Sequence, residues 1–435
     1  MDTIYALSSG ALPSGVAVVR ISGPQTKMII EELTGRLSTP RIASLRSIRS
    51  RNDLEIDSGL VLWFPGPRSF TGEDSGEFHL HGGRAVVDRL FEELAGFEDV
   101  RLAEAGEFSR RAFSNGKFDL TEAEGFADLI AAETEAQRVL ALSQASGTLR
   151  DLYNGWHERL LNARAMIEAE IDFADEDDIP GSVSDRIWSD MAALVVEMRE
   201  HMSGAKRANA VREGYRIVIV GAPNAGKSSL MNALAGSDVA IVSDQPGTTR
   251  DVLETRLSLG GQLVIITDTA GIRENAESIE AEGIRRALAR ALEADLILHL
   301  SETGSWKAIG DFGAVPVWRI TTKVDRGTEV NEDDGIIPIS SITPGGLEKL
   351  IDSLRKHLGE TVGKDVMSLP TRQRHVDNLR AALTELEKAV EEEGVALELR
   401  AESLRLAAFS LGRITGQHSV DDVLGVIFSE FCVGK

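Results

Sequence analysis

The chain has 435 residues, of which 42% are hydrophobic, and this length predicts two or three domains with sizeable cores. No apolar run approaches the roughly 18 residues that a membrane-spanning helix needs, so none is expected. The formal net charge of −22 argues against nucleic-acid binding through bulk electrostatics, and RNA contact would therefore require a local basic patch or a basic partner.

Residues 1–118 alternate short apolar runs with glycine turns, which predicts an α+β domain with strands at 16–21 and 59–64 and a helix at 85–90. No basic or apolar leader opens the chain, so we expect no signal peptide. The segment from residue 36 to residue 51 contains five arginines and no acidic residue. Such a segment is either a solvated surface or a patch that faces RNA. The arginines are Arg36, Arg41, Arg46, Arg49 and Arg51.

From residue 119 the apolar residues are spaced by threes and fours, which predicts the first part of a helical domain over 119–212. A long amphipathic helix is expected at 149–171. It leads into an acidic run at 172–178, for which a solvated loop and a metal site are the alternatives. The crowding of uncompensated carboxylates favours the loop.

Residues Gly221 to Ser228 form the pattern G-x-x-x-x-G-K-S between a β-branched run at 216–220 and a helical start at 229–234. Glycines let the backbone N–H groups of such a loop surround phosphate oxygens at a helix N-terminus. Lys227 is expected at the β- and γ-phosphates and Ser228 at Mg²⁺. The predicted GTP-binding residues here are Asn224, Ala225, Gly226, Lys227, Ser228 and Ser229.

The next predicted strand, 263–268, ends in Asp-Thr-Ala-Gly, a motif whose Asp holds Mg²⁺ through water and whose Gly N–H meets the γ-phosphate. Between the two motifs lies a flexible segment that predicts a first switch, in which Thr249 completes the Mg²⁺ shell. The predicted contacts in these two segments are Ser243, Asp244, Gln245, Pro246, Gly247, Thr248, Thr249, Asp268, Thr269, Ala270 and Gly271.

Guanine recognition is predicted at Thr322-Lys323-Val324-Asp325, because an Asp here accepts from both N–H groups on the guanine edge. Ser340 and Ser341 are expected to offer backbone N–H groups to the guanine O6. Thr322 replaces the usual Asn of this motif. Because Asp325 is present, we still expect selectivity for guanine, whereas the affinity for the nucleotide is not predicted. Together these motifs resemble a translation-factor-type GTPase domain, placed at 213–360.

Ile272 follows Asp-Thr-Ala-Gly where Ras-like proteins carry the Gln that orients the attacking water, so another group must do this. The candidates are Glu274, Glu277, Glu280 and Glu282.

Helical spacing returns over residues 361–435, which predicts one helical domain with the GTPase domain inserted into it. Cys432 is the only cysteine, which excludes an internal disulfide framework and fits a reducing cytoplasm. Its position fourth from the end suggests a prenylation signal, but the terminal Lys435 argues against one. Packing and nucleophilic chemistry remain alternative roles for this thiol.

The whole chain resembles the MnmE (TrmE) family of tRNA-modification GTPases. Beyond the GTPase motifs, the resemblance rests on five segments: Asp2-Thr3-Ile4, Phe70-Thr71-Gly72-Glu73-Asp74, His81-Gly82-Gly83, the run from Gly106 to Phe113, and Asn115-Gly116-Lys117.

The resemblance implies that the amino-terminal domain dimerises and binds a tetrahydrofolate one-carbon donor, as the 5-formyl or 5,10-methylene form. Arg20, Glu77 and Lys117 match folate-contacting positions, and Lys435 reaches the same site. It further implies that Glu280 positions the attacking water and that Mg²⁺ is held at Ser228 and Thr249. The implied potassium ligands are Asn224, Ser243, Gln245 and Thr248.

Family members act in the cytoplasm with a flavoprotein partner, MnmG (GidA). The resemblance therefore implies a homodimer that joins this flavoprotein in a heterotetramer or larger assembly and acts on tRNA. The implied reaction places an aminomethyl or carboxymethylaminomethyl group on C5 of wobble uridine 34, with the nitrogen donor left open. The alternative is a GTP-switched ribosome-assembly factor, which should carry a basic RNA-binding appendage instead of an acidic helical domain.

Overall fold

The computed structural model describes the chain in the ranges given next, and at residues 182–185 it describes the backbone alone. The ranges are 2–172, 182–241, 254–268, 292–306, 312–327, 335–361, 367–391 and 395–418, with residues 424, 425, 427, 428, 431 and 434. Two compact units result: the first comprises 1–127, 150–158 and 408–435, and the second comprises 128–149 and 159–407. Within these ranges, no helix has the length and apolar character needed to cross a membrane.

The first unit is built on a mixed sheet of six described strands in the order β3-β4-β5-β2-β1-β6. All neighbours run antiparallel except β1 and β6, which are parallel. The strands are β1 Thr3–Leu7, β2 Ser14–Ser22, β3 Ser44–Arg49, β4 Glu55–Phe64, β5 Ser75–Gly82 and β6 Val100–Leu102.

Four helices begin in this unit: α1 Thr26–Thr34, α2 Arg84–Ala95, α3 Glu107–Ser114 and α4 Leu120–Ala131. The apolar faces of α1 and α2 share one core with the sheet, in which Ile30, Phe78 and Leu90 are fully buried. A second apolar cluster joins α3 and α4 to Phe428 and Phe431 near the end of the chain. The predicted strands at 16–21 and 59–64 and the helix at 85–90 are confirmed.

The helical part of the second unit includes α5, α7, α8 and α11, with most of α6 and α12. Helix α7 packs against α11, so helices from before and after the GTPase region meet. The predicted amphipathic helix at 149–171 is confirmed within α6. The bounds are α5 Glu135–Ala145, α6 Thr148–Asp172, α7 Ser182–Ser203, α8 Ala205–Glu213, α11 Gln373–Glu391 and α12 Leu397–Thr415.

The second unit also holds a sheet of six described strands in the order β12-β11-β10-β7-β9-β8. Only the β8–β9 pair is antiparallel, and buried aliphatic residues of the central strands form the core with α9 and α10. The bounds are β7 Tyr215–Gly221, α9 Lys227–Ala235, β8 Glu254–Leu259, β9 Gln262–Asp268, β10 Leu296–Ser301, β11 Val317–Thr321, β12 Ile336–Pro338 and α10 Glu348–Thr361.

The predicted fold class is confirmed: an α+β region, an α/β region with a mostly parallel sheet and a phosphate-binding turn, and helices on both sides of the latter in sequence. Parallel strands bring their carboxyl ends to one edge of a sheet, which is where ligands bind in such folds. The motifs at 221–228, 268 and 322–325 all follow strands of this sheet. The predicted boundaries at 118, 212 and 360 stay predictions.

Candidate functional site

The phosphate-binding turn lies between β7 and α9, as the sequence predicts. Asn224 and Gly226 both adopt left-handed backbone conformations, with φ of 66° and 93°. Glycine suits residue 226 because of this backbone conformation, since a Cβ there would make only an ordinary contact with Thr322, 3.4 Å away. The turn delivers the chain to the first residue of α9, whose free N–H groups and helix dipole favour an anion.

Lys227 is buried and lies folded over this turn. Its Nζ donates to the carbonyl oxygens of Gly221 and Ala222 at 2.8 and 3.0 Å. Burial lowers the pKa of Lys227, while the carboxylate of Asp268 opposes that shift. Since carbonyl oxygens are neutral acceptors, phosphate oxygens can replace them with a gain in charge pairing.

A hydroxyl and a carboxylate converge beside the lysine. Asp268 ends β9 and is 4% exposed, and its Oδ2 accepts from the Ser228 Oγ at 3.4 Å. The two residues meet because β7 and β9 are parallel neighbours, with Ile219 in register with Asp268. Oxygen donors of this kind fit Mg²⁺, which retains several waters beside one or two protein ligands. Ser229 follows in the first turn of α9.

The predicted base-binding turn is attached to the phosphate-binding turn by two hydrogen bonds. Thr322 donates its hydroxyl to the Ala225 carbonyl at 2.8 Å, and the Lys323 Nζ donates to the Asn224 carbonyl at 3.0 Å. The residue that departs from the usual Asn therefore still connects the two turns.

The carboxylate of Asp325 is held by a neighbouring loop. The Ser340 Oγ donates to its Oδ1 at 2.7 Å, and the same hydroxyl lies 2.9 Å from the Thr343 Oγ1. Ser341 follows, half-buried, in that loop. The structure thus brings together Thr322, Lys323, Asp325 and Ser340, with their side chains or backbones at the carboxyl edge of the sheet.

Several predicted site residues lie outside the described residues, and their predicted roles stay predictions. They are Ser243, Asp244, Gln245, Pro246, Gly247, Thr248, Thr249, Thr269, Ala270, Gly271, Glu280, Cys432 and Lys435. Most of the acidic run at 172–178 also lies there. In the ranges that the structure does describe, no cluster of three or more His, Cys, Asp or Glu side chains is arranged to hold a metal ion.

Two of the predicted folate-contacting residues of the first unit lie side by side on β2 and β5, and the third, Lys117, follows α3. Arg20 is in register with Glu77 and pairs with its Oε1 at 3.0 Å. The other oxygen of Glu77 lies 3.0 Å from the His79 Nε2. Lys117 donates to the Pro67 carbonyl at 2.8 Å. All three predicted groups are therefore near a shared patch, with His79 as a neighbour that sequence analysis missed.

Phe70 is the aromatic residue of this patch, and its side chain is 41% exposed. The guanidinium of Arg20 lies 5.3 Å from the centre of its ring, and the Phe118 ring lies 6.0 Å away. Phe118 directly follows Lys117, so the Phe70 ring contacts Arg20 and the residue next to Lys117 in sequence. Phe70 belongs to a motif that carried the resemblance, but the sequence did not indicate a binding role for it.

The end of the chain is anchored in the same unit. The Ser8 Oγ donates to the Gly434 carbonyl at 2.7 Å. Gly434 has a φ of 100°, and a Cβ there would approach the Leu7 carbonyl to 2.2 Å, so only glycine fits. Leu7 is in register with Val19, the residue before Arg20.

An ionic network around the buried Glu107 accounts for several motif residues that had no predicted role. Arg111 donates to the Asp2 and Glu107 carboxylates at 2.7 and 3.0 Å and reaches Glu73 at 3.3 Å. Arg101 pairs with Asp2 and Glu107 at 2.6 Å each. Burial alone would raise the pKa of Glu107, but hydrogen bonds from Arg101, the Glu104 backbone and Arg111 hold it below its usual range.

The arginine run at 36–51 is partly neutralised. Arg49 pairs with Asp53 at 3.0 Å, and Arg51 lies 3.5 Å from Glu93 while it donates to the Gly96 carbonyl at 2.8 Å. These contacts favour a structural role for the second half of the run over an RNA-facing patch.

Comparison with known proteins gives one consistent family. Residues 3–117 match the family model described as the GTP-binding protein TrmE N-terminus, and residues 120–432 match that of the MnmE helical domain. The chain is 55% identical over 436 residues to the tRNA modification GTPase MnmE of Brucella anthropi, covering 100% of this chain and 98% of the relative. Its counterpart from Brucella ovis is 54% identical over 437 residues, with the same coverage.

Among solved structures, the G domain of the T. maritima FeoB iron transporter aligns with 33% of this chain and 98% of its own. That alignment has 24% identity and a TM-score of 0.25, a likeness too weak to add to the family assignment.

Proposed function

Since the chain belongs to the MnmE family of tRNA-modification GTPases, we propose that its GTP hydrolysis drives a folate- and flavin-dependent modification of tRNA. The proposed product carries an aminomethyl or carboxymethylaminomethyl group on C5 of wobble uridine 34. The flavin belongs to a partner, the flavoprotein MnmG, and the chain acts with it as a cytoplasmic homodimer. Family membership disfavours the alternative of a ribosome-assembly factor.

The folate part of the proposal rests on one observation, the exposed Phe70 ring between Arg20 and Phe118. A folate consists of a flat pterin, an aromatic linker and an anionic glutamate. An exposed ring can stack on the first two and Lys117 can pair with the third, while Arg20, 3.0 Å from Glu77, belongs with that carboxylate at the pterin end. Glu77 supplies the carboxylate for pterin N–H groups, so the residues present fit the cofactor. The one-carbon unit of the bound folate supplies the carbon that is transferred.

Calorimetry with 5-formyl-tetrahydrofolate tests this assignment. Loss of one charge-assisted contact typically costs about 1.5–3 kcal/mol, so Arg20→Ala and Lys117→Ala should each weaken binding roughly 10- to 150-fold. Arg36→Ala, at an exposed arginine of the same unit, is the matched control and should bind like the natural protein. If calorimetry detects no binding of 5-formyl-tetrahydrofolate to the intact chain, the folate assignment is wrong, whereas the assignment as a GTPase is unaffected.

For GTP hydrolysis we propose that Lys227 and the start of α9 hold the phosphates, and that Ser228 and Asp268 serve Mg²⁺ with Thr249. Asp325 selects guanine. Asn224 and the loop 243–248 hold potassium, which supplies the positive charge that an arginine finger supplies elsewhere. Asn224 is an exposed residue of the turn, so its side-chain amide is accessible to a cation, which supports this role.

Replacing K⁺ by Na⁺ at equal ionic strength tests the potassium proposal. The smaller Na⁺ does not fit ligands spaced for K⁺, so the site should stay without its cation and turnover should slow about 10³-fold or more. Glu280→Ala should abolish hydrolysis and leave GTP affinity within about twofold. Equal rates in the two salts would refute the potassium site, and full activity of Glu280→Ala would refute the role of Glu280 separately.

A further inference from the structure

Glu302 directly follows β10, at the same sheet edge as the nucleotide motifs, and no motif of the sequence includes it. Its Oε2 accepts from the Lys323 Nζ at 2.6 Å, and its Oε1 accepts from Arg326 at 3.4 Å. These two cations stand on either side of the Val324–Asp325 pair in the base-binding turn. One carboxylate therefore spans the turn that carries Asp325.

The turn needs such support because its backbone is unfavourable. Lys323 has a φ of 59°, a left-handed conformation that residues with a Cβ seldom adopt. Residues Val324–Arg326 form a single 3₁₀ turn, with Gly327 closing it at a φ of 84°. A short, strained turn does not fix a side chain by itself, so its geometry depends on the groups that hold it.

Each of the other contacts of the turn restrains a different part of it. Thr322 connects its start to the phosphate-binding turn, and Ser340 orients the Asp325 carboxylate. The Glu302 contacts restrain the middle, where Lys323 reaches both Glu302 and the Asn224 carbonyl. Two acceptors, one from the phosphate-binding turn and one from the end of β10, therefore fix the position of the Lys323 ammonium group.

We propose that Glu302 is a positioning residue for guanine selectivity, acting through Lys323 and Arg326 on the placement of Asp325. The inference deepens the proposed function and rests on Asp325 as the group that contacts guanine. Discrimination against a base that lacks one N–H group depends on leaving a well-placed acceptor unpaired. A loosened turn therefore loses more selectivity than it loses catalysis.

The test compares GTP with ITP, whose base lacks the 2-amino group, using fluorescent-nucleotide displacement on the full chain. Glu302→Ala should weaken GTP binding roughly fivefold while ITP binding changes little, so the preference for GTP falls by about the same factor. The turnover at saturating GTP should stay within about twofold. Glu302→Gln, which keeps an acceptor but no charge, should be intermediate.

Two controls separate the mechanism from a general loss of stability. Asp352→Ala removes the acid of an exposed ion pair with Arg355 on α10 and should leave the GTP-to-ITP ratio unchanged. In a Lys323→Ala, Arg326→Ala background, Glu302→Ala should have no further effect on that ratio, because coupled residues are not additive.

Asp325→Asn distinguishes failure of the inference from failure of the proposed function. It should reverse the preference for GTP over xanthosine triphosphate (XTP), because an amide can donate to the xanthine carbonyl that replaces the guanine amino group. An unchanged preference would overturn the guanine assignment itself. If Asp325→Asn reverses the preference but Glu302→Ala and Glu302→Gln keep the natural GTP-to-ITP ratio, the positioning role of Glu302 is wrong.

Discussion

Cationic side chains are held in different ways at the nucleotide site and in the ionic network of the first unit. At the nucleotide site, Lys227 rests on two backbone carbonyls and a buried carboxylate stands near it. In the first unit, Arg111 and Arg101 are locked into a network with Asp2, Glu73 and Glu107. Neutral acceptors exchange readily for an anionic ligand, whereas buried ion pairs exchange only when the charge left behind finds another partner.

This difference predicts which cations serve ligand binding and which serve folding. The nucleotide lysine is available to phosphate without the loss of an ion pair, so its removal should affect ligand binding most. The arginines of the network have no spare capacity for a ligand, and their removal should affect folding most. Arg20, with one carboxylate partner and an exposed ring beside it, is intermediate.

The largest effect is expected at Lys227. Lys227→Ala removes the charged donor from two phosphates, which corresponds to roughly 10²- to 10³-fold weaker GTP binding, with little change in the free energy of unfolding. Calorimetry with GTP measures the first quantity, and a urea titration measures the second. Lys206→Ala, at an exposed lysine of the same unit, should change neither. A large loss of stability in Lys227→Ala would break the comparison.

The network makes the opposite prediction. Arg111→Ala removes a charged donor from the buried Glu107 and from Glu73, while Arg101 still pairs with Asp2 and Glu107, so the free energy of unfolding should fall by about 1.5–3 kcal/mol. GTP affinity of the folded fraction should not change. The adjacent Arg110 pairs with Glu104 at the surface, and Arg110→Ala should cost at most about 1 kcal/mol. Equal urea midpoints for the two variants would contradict a structural network.

A smaller effect of pH has opposite signs in the two units. Burial, reinforced by His375, lowers the pKa of His201 in the second unit from 6.5 to about 4. The unfolded chain then takes up the proton first, so stability falls as pH drops below 6.5. Burial raises the pKa of Asp119 in the first unit from 3.8 to about 6. The folded chain takes up that proton first, so stability rises as pH drops through 6.

Between pH 7 and 5, these shifts correspond to about 1–2 kcal/mol of unfolding free energy for each residue, with opposite signs. Urea titrations at the two pH values measure this. His201→Gln should remove the destabilising contribution of acid, and Asp119→Asn should remove the stabilising one. If the change in unfolding free energy between pH 7 and pH 5 is the same in both variants as in the natural protein, neither group titrates as described.

Local patterns were enough to locate the nucleotide site. A β-branched run, a glycine turn and a helical start are contiguous in sequence, so β7, the phosphate-binding turn and α9 were predictable in place and order. The same holds for β9 with Asp268. Thr322 was recognised as a departure from the usual Asn, but its hydrogen bond to Ala225 depends on residues 97 positions apart in the chain.

Long-range contacts account for what the sequence could not predict. The ionic network joins Asp2 to Arg111 across 109 positions, and no local spacing marks such a pair. Glu302 could have been suspected, because it is an acid directly after a buried strand at the ligand-binding edge. The exposure of Phe70 depends on packing around it. Motif matching alone indicated Arg20, Glu77 and Lys117, and their ligand stays a proposal.

The central claim is that GTP hydrolysis by this chain drives modification of uridine 34. The direct test combines the full chain with the flavoprotein MnmG, an unmodified tRNA, 5,10-methylene-tetrahydrofolate, an ammonium or amine donor and K⁺, and measures the mass of the nucleoside at position 34. With GTP, that nucleoside should gain an aminomethyl-type group. With a non-hydrolysable GTP analogue, it should remain uridine. Equal modification with the analogue, or none with GTP in the complete mixture, would contradict the claim.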